Sequence, residues 1–292
     1  MKPLLTLIAT LGLLMVLLTQ SALAQLSLPE PSPPSTIKQK IGFTDLTIAY
    51  SRPAVRGRTI FGELVPFGKI WRTGASDATI LTITDPVMLA GKTLTAGSYS
   101  LFTIPDRHEW TIILNKHVGG HGLDGYEEKN DVMRFPVNAD SSARFYESFT
   151  IEVQDLVKNQ ATIYLNWANT SVHFPFVSNA DERITAEIMD RLNVRKEDKP
   201  GVATPGLYYQ AALYYFDQEK DTKQALTWAA KAVELKPAFN YLHLQAKLLA
   251  RAGDYKGAIV AAQQSAQAAD QEKFTDYVTL NNRLIAEWKK KL

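Results

Sequence analysis

A chain of 292 residues, 46% apolar and 21% charged, has room for two domains at about 150 residues each. A mean hydropathy of −0.14 excludes a polytopic membrane protein and a wholly disordered chain. The net charge of +2 offers no global field for nucleic acid, and the absence of cysteine removes disulfides, thiol nucleophiles and thiolate-held metals.

Lys2 precedes an apolar run from Leu4 to Leu18, broken only by Thr6, Thr10 and Gly12, and Ala22-Leu23-Ala24 follows. A basic start, an apolar stretch and a small-residue site predict a signal peptide over 1–24, cleaved after Ala24. The run is shorter than the roughly 20 residues of a stable span. A periplasmic or secreted product without a membrane span is expected, and a chain without thiols suits such an oxidising compartment. Residues 25–37, rich in proline and serine, read as a flexible arm.

From 38 to 177 the chain reads in short strands. Thr44–Tyr50 alternates, and Ala78–Thr84, Ser98–Ile104, Trp110–Leu114, Phe145–Val153 and Ala161–Trp167 follow, several of them separated by Asp-Pro, Ala-Gly or Pro-Asp turns. No strand–helix–strand rhythm is present, which disfavours a parallel sheet. The expectation is an antiparallel β-sandwich or partly open barrel. Period two puts Leu46, Ile48, Leu81, Ile83, Leu101, Ile112, Leu114, Phe149, Ile151, Ile163 and Leu165 on the inward face.

Beyond 178 the period becomes 3.6. Residues 178–204 read as a helix, capped by Asn179 or Asp181 and ending near Leu192, followed by a linker. Thr204-Pro205 joins a capping residue to proline at the first helical position. Further helices are predicted over 205–217, 221–235, 239–252, 254–268 and 272–290, close enough in sequence to make antiparallel neighbours. Lys223-Gln224-Ala225-Leu226 recurs as Lys256-Gly257-Ala258-Ile259, an offset of 33 residues. That period, with the pieces AVELKP and ARAGDYKGAI, resembles tetratricopeptide repeats. The resemblance implies an all-α helical repeat domain over 205–292 whose groove takes a protein or peptide partner. An ordinary helical bundle that binds nothing is the plainer alternative.

The runs IGFTDLTIAYSRP (Ile41–Pro53), RTIFGELVPFGKIWRTGA (Arg58–Ala75), GSYSLFTIP (Gly97–Pro105) and WTIILNK (Trp110–Lys116) together resemble the DUF2911 family. This is a domain of unknown function common in secreted Bacteroidetes proteins and sometimes followed by tetratricopeptide-like helices. The resemblance covers about 38–170. The chain departs from it at Ala75-Ser76-Asp77, where the family usually has Ala-Asn-Glu. The family carries no assigned chemistry and so implies no mechanism.

Two clusters are candidates for a site. Residues 50–72 hold Arg52, Arg56, Arg58, Lys69 and Arg72 against Glu63 alone. Arginine forks suit carboxylate, sulfate or phosphate groups, and Tyr50 and Trp71 offer aromatic faces to a sugar or ring. Tyr50, Arg52, Arg58, Trp71, Arg72 and Asp77 are therefore the candidate residues for an anionic or glycan ligand. The structural alternative pairs Arg52, Arg58 and Arg72 with Glu63, Asp77 and backbone carbonyls, to hold a long connection over the sheet. The second cluster is His117, His121 and Asp124. On a helix the two imidazoles would share a face, and the three side chains would suit a divalent metal such as Zn. Four neighbouring glycines argue for a loop, and Glu127, Glu128 and Asp131 can pair with Arg134 instead. No cofactor is otherwise expected.

The nucleophile elbow G-x-S-x-G, a phosphate-binding glycine loop and His-Glu-x-x-His are all missing from the sequence. An exported binding or scaffolding protein is the reading favoured over an enzyme. The alternatives are a metal-dependent hydrolase using the 117–124 loop and a purely structural envelope protein.

Overall fold

A computed structural model describes residues 28–193 and 204–292. The predicted signal peptide, residues 25–27 of the arm and residues 194–203 of the linker lie outside them. The chain divides into two compact units. One runs to Leu156 and resumes over Ala161–Val177; the other comprises Val157–Gln160 and Ser178–Leu292. Among the described residues no helix is long and apolar enough to cross a membrane.

The first unit is built on an open nine-stranded sheet. Its strands are β1 (Pro34–Ile41), β2 (Thr44–Ser51), β3 (Thr79–Ile83), β4 (Val87–Leu89), β5 (Lys92–Leu94), β6 (Gly97–Ile104), β7 (Glu109–Asn115), β8 (Asp131–Val157) and β9 (Gln160–Ser178). They lie in the order β1-β2-β3-β6-β7-β8-β9-β4-β5. Pairing is antiparallel from β1 through β8 along that order and in the β4–β5 hairpin. All eleven residues expected on the inward face are buried, none above 2% exposed. Register explains why they cohere: Ile48 lies opposite Leu81, and Leu101 opposite Leu114, so each strand's apolar row continues the next.

β1 begins at Pro34, inside the stretch whose composition reads as an arm. Proline is compatible with the first residue of an edge strand, where its missing N–H breaks no ladder. Lys38 and Lys40 stay exposed on that edge, where charge discourages pairing with a further strand.

The 27 residues from Arg52 to Ala78 join β2 to β3 and lie against the sheet at both ends. Val55 N–H donates to Glu147 O (2.7 Å) and Phe149 N–H to Pro53 O (2.8 Å); Trp71 and Thr103 exchange both main-chain bonds (2.7 and 2.9 Å). Beneath the connection sits an aromatic cluster. Trp71 stacks on Trp167 with centroids 5.7 Å apart and meets Trp110 and Phe149 edge-on, while Phe61 meets all three tryptophans. Such contacts add about 0.5–1.5 kcal/mol each beyond area burial.

Among the described residues the second unit holds six helices: α1 (Ala180–Asn193), α2 (Pro205–Asp217), α3 (Thr222–Leu235), α4 (Phe239–Arg251), α5 (Tyr255–Gln271) and α6 (Thr275–Lys289). Thr204 caps α2 by accepting from Leu207 N–H, with Pro205 at the start of the helix. Asp221 caps α3 and Asp254 caps α5, and these two aspartates stand at the offset of the sequence repeat. So do the pairs Ala225 and Ala258, and Ala229 and Ala262, all buried. Alanine at those positions lets helix backbones approach closely. Asp181 accepts from Tyr214 and Lys220. Burial pushes its carboxyl up, and those two hydrogen bonds outweigh that and hold it below the usual range.

Candidate functional site

The basic run divides once its partners are traced. Arg52 is committed to β8: Nε donates to Phe149 O (3.1 Å) and Nη2 to Thr150 Oγ1 (2.8 Å). Arg58 folds back on its own loop, giving Nε to Val55 O (3.0 Å) and Nη2 to Ala54 O (2.6 Å). Arg56 gives Nη2 to Pro31 O (2.8 Å), and its main-chain N–H donates to Glu147 Oε1 (2.9 Å). Arg72 has neither a side-chain hydrogen bond nor an ion pair among the described residues, and its Nε is buried.

Arg56, Arg58 and Arg72 line one cavity of about 290 Å3, together with Trp71, Trp167, Ser32 and an apolar wall that includes Pro31, Pro53, Leu64 and Val65; among the described residues no acidic one lines it. Trp71 is buried, and its Nε1–H is spent on Gly74 O at 3.0 Å. That bond needs glycine at 74. Its φ is +154°, and a Cβ there would lie 3.1 Å from Ser51 O. Trp167 is 2% exposed and its Nε1 has no partner. Two of the residues that line the cavity, Arg72 and Trp167, thus carry a buried donor without an acceptor. An unsatisfied buried donor costs about 1–3 kcal/mol.

The backbone around the cavity is strained. Arg56, Thr73, Ser76 and Ala168 take φ of +50°, +56°, +56° and +52°, the left-handed region that favours glycine. Arg56 lines the cavity, and the other three follow directly on Arg72, Ala75 and Trp167, which also line it. Strain of this kind, about 1–3 kcal/mol per residue, collects where a side chain must be aimed.

Of the six candidate residues for an anion, Arg58, Trp71 and Arg72 meet at the cavity. Tyr50 does not reach it. It is buried in β2, its hydroxyl accepting from Ile151 N–H at 3.1 Å. Arg52 is held by β8, and Asp77 faces away, pairing with His121 at 3.3 Å in an exposed contact. Of the partners the structural alternative supposes, main-chain carbonyls hold Arg52 and Arg58, with a hydroxyl added for Arg52, while neither Glu63 nor Asp77 pairs with an arginine among the described residues and Arg72 is left over. Arg56 and Trp167 are the residues that sequence reasoning missed. Arg56 stood in the basic run and carried a signal. Trp167 lies 96 residues beyond Trp71 and nothing local marked it.

His117, His121 and Asp124 lie in a loop. The His117 ring occupies the space a side chain at Gly125 would need, and Gly125 has φ +77°, so the glycines serve loop closure. His121 turns to Asp77. Among the described residues no three His, Asp or Glu side chains form a group able to hold a metal ion. The acidic residues further along are taken up locally: Asp131 and Glu128 pair with Arg134, and Glu127 with Lys129.

An open antiparallel β unit with a cation-lined cavity on its β2–β3 connection, joined to a helical unit, is the class that the fold and site define. Residues 32–176 match the family model described as Protein of unknown function (DUF2911), a stretch that takes in every cavity residue named above except Pro31. No curated protein and no solved structure matches the chain.

Proposed function

We propose that this chain is an exported, non-catalytic binding protein whose β unit takes a small anionic or glycan ligand in the arginine cavity. The observation that carries the reading is the lining itself: three guanidinium groups, left-handed backbone at Arg56 and directly after Arg72, and no carboxylate among the described lining residues. Guanidinium forks favour oxoanions. Export is supported by Lys2, the Leu4–Leu18 run and Ala22-Leu23-Ala24, and the periplasm or the exterior is the compartment this reading gives. The helical unit is read as tetratricopeptide-like and as the seat of a protein partner. The equivalence of Asp221 with Asp254, and of Ala225 with Ala258, at the repeat offset supports it.

The test is a thermal-shift series on the full chain with sulfate, phosphate, acetate and glucuronate, run beside glucose. At least one anion should raise the melting temperature of the wild type, and Arg72→Ala should remove the rise without lowering the ligand-free melt. If no anion shifts the wild type, the reading fails.

A further inference from the structure

Resting on the reading of the helical unit as the seat of a protein partner, we infer that its groove takes an acidic peptide segment. Carboxylates of the segment meet Lys247, Arg251 and Lys291, and an aliphatic side chain beside them covers an apolar floor at Leu284 and Trp288. These residues line one cavity of about 360 Å3, which α2, α4 and α6 all border. Lys247 Nζ lies 4.3 Å from the centroid of the Phe216 ring, and Arg251 Cζ lies 3.7 Å from the same centroid. Like charges one helical turn apart repel, and these two share a ring as well. Among the described residues no carboxylate pairs with Lys247, Arg251 or Lys291. Glu287, which also lines the cavity, is turned to Arg283, Nε to Oε1 3.8 Å. Arg251 gives Nη1–H to Phe216 O (2.7 Å), which seats the guanidinium on the ring and leaves its other N–H groups unspent. Arg251 and Lys291 are exposed and Lys247 is half-buried, so an incoming anion can reach all three.

The surrounding helices favour a peptide over a nucleic acid. α4 meets α2 through the two cations on Phe216, and it meets α6 through His243, whose ring lies 5.2 Å from Tyr277. Crossing three adjoining helices at about 8–10 Å each takes about six residues of extended chain. A nucleic acid repeats its charge along its whole length and stacks its bases on free rings. Here the cations gather toward the C-terminal ends of α4 and α6. The rings nearer the other ends already pack on one another, Tyr209 on Tyr241 at 4.6 Å and Tyr277 on Phe239 at 4.8 Å. The floor is apolar, with Leu284 half-buried and Trp288 9% exposed. An acidic residue beside an aliphatic one answers both halves of the cavity: the carboxylate accepts charge-assisted hydrogen bonds, and the aliphatic group leaves water.

Fluorescence anisotropy of the full chain with labelled peptides tests this. The probes are the acidic Gly-Asp-Glu-Leu-Asp-Glu-Gly, its amide counterpart Gly-Asn-Gln-Leu-Asn-Gln-Gly, its leucine-free counterpart Gly-Asp-Glu-Gly-Asp-Glu-Gly and the basic Gly-Lys-Lys-Leu-Lys-Lys-Gly, with oligothymidylate beside them. The acidic peptide should bind, more weakly as salt rises, and each other probe at least about tenfold less tightly. Lys247→Met keeps the stem, removes the charge and should weaken the acidic peptide about fivefold, the size of one exposed ion pair. Lys291→Gln should do the same at an exposed position that the fold does not use. Amide or basic peptide binding as tightly as the acidic one overturns the inference and leaves the groove a peptide site. Oligothymidylate binding as tightly makes it a polyanion site and overturns it too. A leucine-free peptide that binds equally removes the apolar half, and two folded variants that bind like the wild type place the peptide elsewhere; either result overturns the assignment. If none of the peptides binds, the inference and the partner reading fall together.

Discussion

The β unit and the helical unit bury their interiors by opposite means. In the β unit large rings do the work: Trp110, Trp167, Phe102, Phe149, Phe174 and Phe176 are all nearly sealed from solvent, and the chain accepts left-handed backbone at Thr73, Ser76 and Ala168 to seat its cluster. In the helical unit alanines such as Ala211, Ala229, Ala246 and Ala262 line the helix contacts, and aspartates satisfy the starts of α3 and α5. Its left-handed residues, Lys158, Glu219 and Lys273, fall in turns. Both units leave buried polar atoms without partners, Asn179 Oδ1 and Thr185 Oγ1 in the helical unit and Thr44 Oγ1, Ser100 Oγ, Arg72 Nε and Trp167 Nε1 in the β unit; of these, only Arg72 and Trp167 belong to residues that line the cavity.

Truncation should separate the two most sharply. Phe149→Ala removes a ring that contacts Tyr50, Trp71 and Trp167, and should cost about 3–5 kcal/mol by leaving a cavity. The helical unit has to be broken in the other sense. Ala262→Leu crowds a closely packed interface and should cost about 1–3 kcal/mol. Denaturant melts followed by near-ultraviolet circular dichroism for the tryptophan cluster, and by far-ultraviolet helix signal for the helical unit, should show each loss in its own unit. Loss of both signals together on Phe149→Ala would show that the helices depend on the β unit.

Arg52 and Arg72 sharpen the comparison within one basic run. Arg52→Ala strips donors from Phe149 O and Thr150 Oγ1, in a half-buried setting, and should destabilise the fold by about 1–2 kcal/mol. Arg72→Ala removes a side chain that no described residue holds, so its ligand-free melt should stay within about 0.5 kcal/mol of the wild type, the size of an uncommitted substitution. A comparable loss from both variants would mean that Arg72 supports the loop and would weaken the anion reading at its centre.

These two arginines also mark where the sequence stopped being legible. Alternation and helical period found the inward rows, and Thr204-Pro205 found the start of α2, because those signals are local. β1 and the first half of β8 were passed over because Pro34 and Pro136 sit in them and much of their length is polar; β4 and β5 are only three residues each. The site is half local. Arg58, Trp71 and Arg72 lie in one run, so composition could single them out. Which arginine is spent depends on Pro53–Val55 meeting Glu147–Phe149, a pairing across more than ninety residues that neither composition nor period encodes. Trp167 was hidden for the same reason, since its role comes from stacking on Trp71.

The smallest effect belongs to the helical unit and concerns pH. His243 on α4 is largely buried, its Nδ1 2.8 Å from Asn281 Oδ1, and Asn281 in turn donates to Ser265 Oγ and Tyr277 O. Burial lowers the His243 pKa; the Asn281 hydrogen bond opposes that, and the Lys247 charge adds to it. The folded state thus prefers the neutral ring more strongly than the unfolded chain does. Above the unfolded value of about 6.5 both states are neutral and the contribution to stability is fully present. As pH falls through that value the unfolded chain takes up a proton that the folded one resists, so stability declines until the lowered native value is passed. His243→Gln keeps a donor toward Asn281 and cannot titrate. Helix-signal melts of wild type and variant between pH 7.5 and 5 should converge or cross as the pH drops, with the wild type losing more. A wild type that loses no more than the variant would show His243 to be protonated in place, with Asn281 accepting from the imidazolium.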